Sequence, residues 1–220
     1  MERLEDLGND IKIYQDDGLY CFTSDSVLLS NFTRVKRGDV VADFCAGSGI
    51  VGFNLYANNS NLIKSVTLFE MQKPLYDLSV KSIKENALED KFSAVNTRLQ
   101  DIGTAYAGKF SLITCNPPYM AKDRGFENEK DFIAVCRTEV ALSLEELVSA
   151  VSVSLKYGGR INLVHRADRL VEVITTLKTH GIEPKRLQFV SGGKKEPYLF
   201  IMEGVKGGKS GITVHNTITN

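Results

Sequence analysis

Short apolar runs alternate along this chain with longer stretches in which apolar residues recur every three to four positions. The runs "DVVADF" (39–44), "SVTLFE" (65–70), "KFSAVN" (91–96), "FSLITC" (110–115) and "RINLVH" (160–165) read as strands. The stretch from Gly49 to Ala57 reads as a helix. Residues 72–89 carry Leu75, Leu78, Ile83 and Leu88 near helical spacing, with Pro74 in the first turn. A long helix is expected over about 138–156, from Thr138 to a stop at Gly158–Gly159, and another from Ala167 to Thr179, ended by His180–Gly181. Two more strands follow near 185–190 and 198–203. Only "SGGKKEP" lies between them, too little for a crossover helix, so they should form an antiparallel hairpin at one edge. The alternation predicts an α/β fold: a seven-stranded, mostly parallel sheet with helices on both faces. The weakest order is expected in 120–135 and in the tail after Lys206.

Composition narrows the setting. The 220 residues suit one α/β domain, and 43% apolar with 25% charged residues is an ordinary globular mixture. We take 1–220 as one domain, with a core over 38–205 preceded by a segment over 1–37. No apolar run is long enough to span a membrane, and the acidic start "MERLEDLGND" does not read as a secretion signal. Cys21, Cys45, Cys115 and Cys136 are scattered without a CxxC pair, and the three histidines are unclustered. They suggest free thiols in a reducing cytoplasm and no metal site. Net charge is zero, yet residues 156–209 hold 11 Lys/Arg against 5 Asp/Glu. A basic C-terminal part suits a polyanion; a solvated surface is the plainer alternative.

The candidate chemistry lies at strand ends. "DFCAGSG" (43–49) follows one strand and opens a helix, the ligand-binding position of an α/β sheet. Gly47 and Gly49 permit positive φ and close approach of a ligand to the backbone. Twenty-one residues past Gly49, Glu70 ends the next strand, placed to bind ribose hydroxyls. The spacing is not G-x-G-x-x-G, and Asp43 would sit badly beside a pyrophosphate. A cationic ligand carrying a ribose fits better, its amino group meeting Asp43; S-adenosylmethionine has both features. Asp101, in "LQDI", either accepts from an adenine amino group or caps a helix over "GTAYA". The strand "LITC" then runs into Asn116-Pro117-Pro118-Tyr119, an unpromising sequence for ordinary packing.

In order and spacing, "DFCAGSG", "LFEMQ", "LQDI" and "NPPY" resemble the class I S-adenosylmethionine-dependent methyltransferases with a Rossmann-like fold, in their amino-group methylating branch. The segments 13–32, 136–148, 164–170 and 203–211 are similar to the bacterial tRNA adenine-N6 enzymes of that branch. The resemblance implies that the Asn116 side-chain oxygen and the Pro117 carbonyl accept the two N–H groups of the substrate amine. Pro117 and Pro118 stiffen that loop, and Tyr119 stacks on a planar group. It implies cofactor contacts from Phe22, Thr23, Ser24 and Asp25, with Asp25 as a helix cap. Further cofactor contacts fall to Asp43, Cys45, Ala46, Gly47, Ser48, Gly49, Glu70, Met71, Gln72, Asp101, Ile102 and Asn116. Cys45 stands where the family usually has the loop's first glycine.

The substrates of this branch are adenine N6 or cytosine N4 in nucleic acid, guanine N2 in rRNA, and a protein glutamine. RNA, most naturally a tRNA loop, is the expected partner, held by Arg137, His165, Arg166, Lys194 and Lys195. Lys156, Arg160, Arg169, Lys185, Arg186, Lys206 and Lys209 should add phosphate contacts, provided they share the active-site end of the sheet. A catalytically silent RNA-binding module is the alternative of another class. A monomer or weak homodimer is expected.

Overall fold

The computed structural model describes residues 1–19, 24–117, 142–193 and 195–220. Phe22, Thr23, Pro118, Tyr119, Arg137 and Lys194, singled out above, lie outside them, as do Cys21 and Cys136. The eight-stranded sheet has the order β10-β8-β9-β7-β6-β3-β4-β5. Its parallel heart is β3 (Asp39–Phe44), β4 (Ile63–Glu70), β5 (Phe92–Asn96), β6 (Phe110–Cys115) and β7 (Leu155–Arg166). The antiparallel hairpin is present as β8 (Ile182–Ser191) and β9 (Pro197–Lys206), with β9 antiparallel to β7.

The sheet has one strand more than the patterning predicted. The tail expected to be poorly ordered forms β10 (Thr213–Thr219), parallel to β8 at the sheet edge. An edge strand with most side chains in solvent carries no inward apolar alternation, so nothing in "TVHNTIT" announced it. A second unannounced element is the antiparallel hairpin of β1 (Glu2–Asp6) and β2 (Lys12–Asp16). It docks on α3 (Lys73–Glu85): Lys12 N–H donates to Asn86 Oδ1 at 2.8 Å, and Tyr14 N–H to Ser82 Oγ at 2.9 Å.

The helices divide the core between two faces. α1 (Ser24–Phe32) and α2 (Ile50–Asn59) cover one face, where Leu29, Phe32, Phe53 and Leu55 meet Val41, Leu112 and Val164. α4 (Leu144–Ser154) and α5 (Leu170–Thr179) cover the other, where Leu147, Val151, Val173 and Leu177 meet Phe110, Ile113 and Ile161. None of the described helices is long and apolar enough to cross a membrane.

Two expected helices have shifted bounds. α4 begins at Leu144, where Ser143 and Glu146 form a capping box. It ends at Ser154, and β7 starts at once; Gly158 and Gly159 stand within β7 and do not stop the helix. Gly158 has φ 74°, and the β6–β7 register shifts between Phe110–Leu155 and Leu112–Arg160, so the glycines make a bulge. The expected helix from Ala167 is a 3₁₀ turn over Ala167–Arg169 leading into α5.

The two ends of the sheet differ in chemistry. At the amino ends of β3 and β7, Arg160 and Asp39 form a buried ion pair at 2.6 Å, and Ser111 Oγ donates to the other Asp39 oxygen at 2.8 Å. Arg160 also donates to the Arg34 carbonyl. Glu70, the glycine loop and Asn116 all lie at the opposite, carboxyl ends.

Candidate active site

The strand order turns at β3: β4 and β5 lie to one side of it, β6 and β7 to the other. Ligands of open α/β sheets enter the crevice at such a point. Phe44 and Cys115 are register partners, so the glycine loop and Asn116 leave β3 and β6 side by side.

The loop is folded by two carboxylates. Glu70 Oε2 accepts from Gly47 N–H at 2.9 Å, and its Oε1 from Gln72 N–H at 2.8 Å. Burial pushes the Glu70 carboxyl pKa up, against the pull of the Gln72, Gly47 and Met71 N–H groups. Asp43, 1% exposed, accepts from Gly52 N–H at 3.0 Å and from the Thr114 hydroxyl at 2.8 Å. Burial pushes its pKa up to about 7; the bonds from Thr114 and Gly52 oppose the rise and the Glu70 charge adds to it. Gly49, the N-cap of α2, has no side chain to meet the free N–H groups of the first turn, and Asp43 serves one of them from β3. The ligand amino group that the sequence assigns to Asp43 therefore competes with a clamp inside the protein. A Cβ at Gly52 would come within 2.6 Å of the Leu68 side chain, which would have to shift.

Cys45 has φ 57°, the left-handed conformation a glycine would take. The loop keeps its shape, at a cost of roughly 1–2 kcal/mol for a side chain in that region. The Cys45 thiol is half-buried beside Cys115, whose own pKa burial pushes up. Ala46 and Ser48 are buried under the loop, and Gln15 of β2 donates to Ser48 Oγ. A Cβ built on Gly47 meets nothing within 4 Å, so the loop faces open space. Two glycines at positive φ and this free volume fit an adenosyl ligand.

The remaining expected residues separate. Asn116 Nδ2 donates to Ser26 Oγ of α1 at 3.0 Å, while Asn116 Oδ1 is buried and finds no partner among the described residues. Pro117 is buried beside it. Ser24 opens α1, and its hydroxyl accepts from Asn220 Nδ2 at 2.7 Å. Asp25 sits inside the first turn of α1 and is not its cap. Asp101 ends a 3₁₀ turn over Leu99–Asp101 and lies 3.7 Å from Arg98; no helix follows over 103–108, so the capping alternative fails. Ile102 is buried in the α4-side core, and Met71 is exposed at the rim.

Burial and strand direction overturn much of the expected RNA surface. His165 is 1% exposed and stacks on Phe200; burial above all lowers its pKa to about 4, so it is a neutral core residue and not a phosphate contact. Arg160 is spent on Asp39. Arg186 pairs with Glu203 and lies over Phe32. Lys206 Nζ donates to the Ser152 and Leu155 carbonyls. Lys156, Lys185 and Lys209 belong to that same far end, because β8 and β9 carry the chain down and back. Only Arg166, Arg169 and Lys195 of the described set reach the carboxyl ends, and Asp168 and Glu172 pair with the two arginines. The charge excess is real but is not a surface facing the site.

Gln15 and Ser26 were not singled out from the sequence. Gln15 continues the inward alternation of Ile11 and Ile13, and Ser26 heads a stripe with Ser30 and Thr33 on the buried side of α1. A polar residue at an inward position was the readable signal in both cases.

Residues 11–180 match the family model described as methyltransferase small domain. The chain belongs to the methyltransferase small domain family. It is accordingly an S-adenosylmethionine-dependent methyltransferase. Among curated relatives, a tRNA1(Val) (adenine(37)-N6)-methyltransferase of Flavobacterium psychrophilum is 21% identical over 82% of this chain and 76% of its own. A release factor glutamine methyltransferase of Clostridium botulinum is 25% identical over 67% of this chain and 54% of its own. Solved structures share the fold. A predicted O-methyltransferase from Agrobacterium tumefaciens has TM-score 0.69 and 16% identity over 89% of this chain and 86% of its own. M. jannaschii TYW2 in complex with AdoMet has TM-score 0.63 and 12% identity over 93% and 85%.

Proposed function

We propose that this methyltransferase transfers its methyl group to an exocyclic amino nitrogen, with adenine N6 of a tRNA as the substrate class of best fit. One observation carries the amine: the buried Oδ1 of Asn116 beside the glycine loop, which has no partner among the described residues. A buried acceptor left unmade costs about 1–3 kcal/mol. A substrate N–H placed there recovers that energy, and an exocyclic amine brings a second N–H for a second acceptor, where a hydroxyl brings only one donor.

The bound cofactor supplies a methyl group on a sulfonium, already a strong electrophile. The chain's own work is alignment. An exocyclic amine is a weak nucleophile because its lone pair is delocalised into the ring. Asn116 Oδ1 and the Pro117 carbonyl take one N–H each, favouring the pyramidal nitrogen whose lone pair is free. Glu70 binds the ribose, and the Gly47–Gly49 backbone lies against the ligand. With His165 buried and neutral at pH 7, no tuned base is drawn from that strand end.

The adenine and the tRNA rest on the likeness to relatives and on the matching segments 13–32 and 164–170, not on charge. Methyl transfer from tritiated S-adenosylmethionine to total tRNA of a strain lacking the gene, followed by nucleoside mass spectrometry, tests this. N6-methyladenosine supports it. Labelled release factor with unlabelled RNA would sink the tRNA reading and favour the glutamine amide, an amine the same acceptors would hold.

A further inference from the structure

We propose that Ser26 is the positioning residue that aims the Asn116 amide, turning its Nδ2 toward α1 and leaving Oδ1 for the substrate amine. The inference rests on the acceptor role given to Asn116 above.

An asparagine amide at a strand end can present either its oxygen or its NH₂ to a ligand, and only the oxygen can receive an amine N–H. Ser26 is buried, and its Oγ stands 3.0 Å from Asn116 Nδ2. Ser30, one turn further along α1, shows the same use of a helical serine. It donates its hydroxyl proton to the Val27 carbonyl at 2.9 Å and accepts from Asn54 Nδ2 at 2.6 Å. A helical hydroxyl that gives its proton to a carbonyl one turn back keeps its lone pairs for an incoming N–H. The two serines thus hold two asparagine amides from one face of α1: Asn54 ties the helix to α2, and Asn116 is held in turn by the anchored helix. No other described residue hydrogen-bonds the Asn116 side chain, so its aim depends on Ser26.

Ser26→Ala, Ser26→Thr and Ser26→Ala in an Asn116→Asp background test the inference. Three quantities are read: kcat for methyl transfer to total tRNA, calorimetric affinity for S-adenosylmethionine, and proton exchange of the Asn116 side-chain amide by NMR. The last needs no substrate. Ser26→Ala should lower kcat about fivefold, the worth of one hydrogen bond, leave cofactor affinity unchanged, and speed exchange of the amide protons. Ser26→Thr should restore both. In the Asn116→Asp background, Ser26→Ala should cost nothing further, because a carboxylate offers two equivalent oxygens and has no wrong side. The same loss in both backgrounds, or unchanged amide exchange in Ser26→Ala, would overturn the proposal. An undiminished kcat in Asn116→Ala would instead remove the acceptor role, so the two failures are distinguishable; without tRNA methylation, amide exchange alone decides.

Discussion

The carboxylate of Glu70 accepts the backbone N–H of Gly47 at 2.9 Å, so the residue that ends β4 also sets the loop that ends β3. Losing this side chain removes the loop clamp and, with it, the ribose contact proposed above. Glu70→Ala should weaken S-adenosylmethionine binding by at least about tenfold, from charge-assisted bonds of about 1.5–3 kcal/mol each. Glu70→Gln, which keeps one acceptor, should fall between it and the parent. Isothermal calorimetry checks the order; equal affinity in all three would remove Glu70 from the site.

Cys45 already has the backbone of a glycine, with φ 57°. Cys45→Gly should therefore change unfolding free energy by less than about 1 kcal/mol, since relieved strain and added chain entropy offset each other. Cys45→Val puts a β-branched side chain at positive φ and should cost about 1–3 kcal/mol. Denaturant titration of the two variants separates backbone shape from side-chain identity.

Arg160 is a structural residue. Arg160→Met leaves Asp39 charged and buried, and should destabilise the protein by about 3–5 kcal/mol. Per folded molecule, tRNA affinity should not change, whereas loss of a phosphate contact would lower it and reduce its salt dependence. Thermal melts and binding at two salt concentrations discriminate the two roles.

Acid should act through His165. Its folded pKa of about 4 is below the ordinary 6.5, so its contribution to stability is present above pH 6.5 and is lost as pH falls through 4. The slope is at most one proton, about 1.4 kcal/mol per pH unit. Asp43 acts in the opposite sense: its folded pKa of about 7 is raised from 3.8, so stability is fully present below pH 3.8 and is lost as pH rises toward 7. Between pH 4 and 6.5 the two slopes oppose and nearly cancel, so His165→Gln should leave stability falling as pH rises and Asp43→Asn should leave it rising, in denaturant titrations from pH 4 to 8.

The parallel heart of the fold was readable because strands buried on both faces are written as continuous apolar runs, as in Phe110–Cys115. The two missed elements lack such a signal. β1 and β10 have most side chains in water, and backbone pairing leaves no mark on composition. Around the site, Glu70 and the glycines were legible from spacing along one chain direction. The role of Ser26 was not, because it depends on α1 meeting the residue that follows β6, a contact between residues 90 positions apart. The basic residues misled for a related reason: a count along the sequence does not register that an antiparallel hairpin brings Lys185, Arg186, Lys206 and Lys209 to the far end.

The amide of Asn116 is held from α1, which the chain completes before it reaches the glycine loop or the residues after Pro117. The direction of that amide is therefore written ninety positions ahead of the residue that carries it.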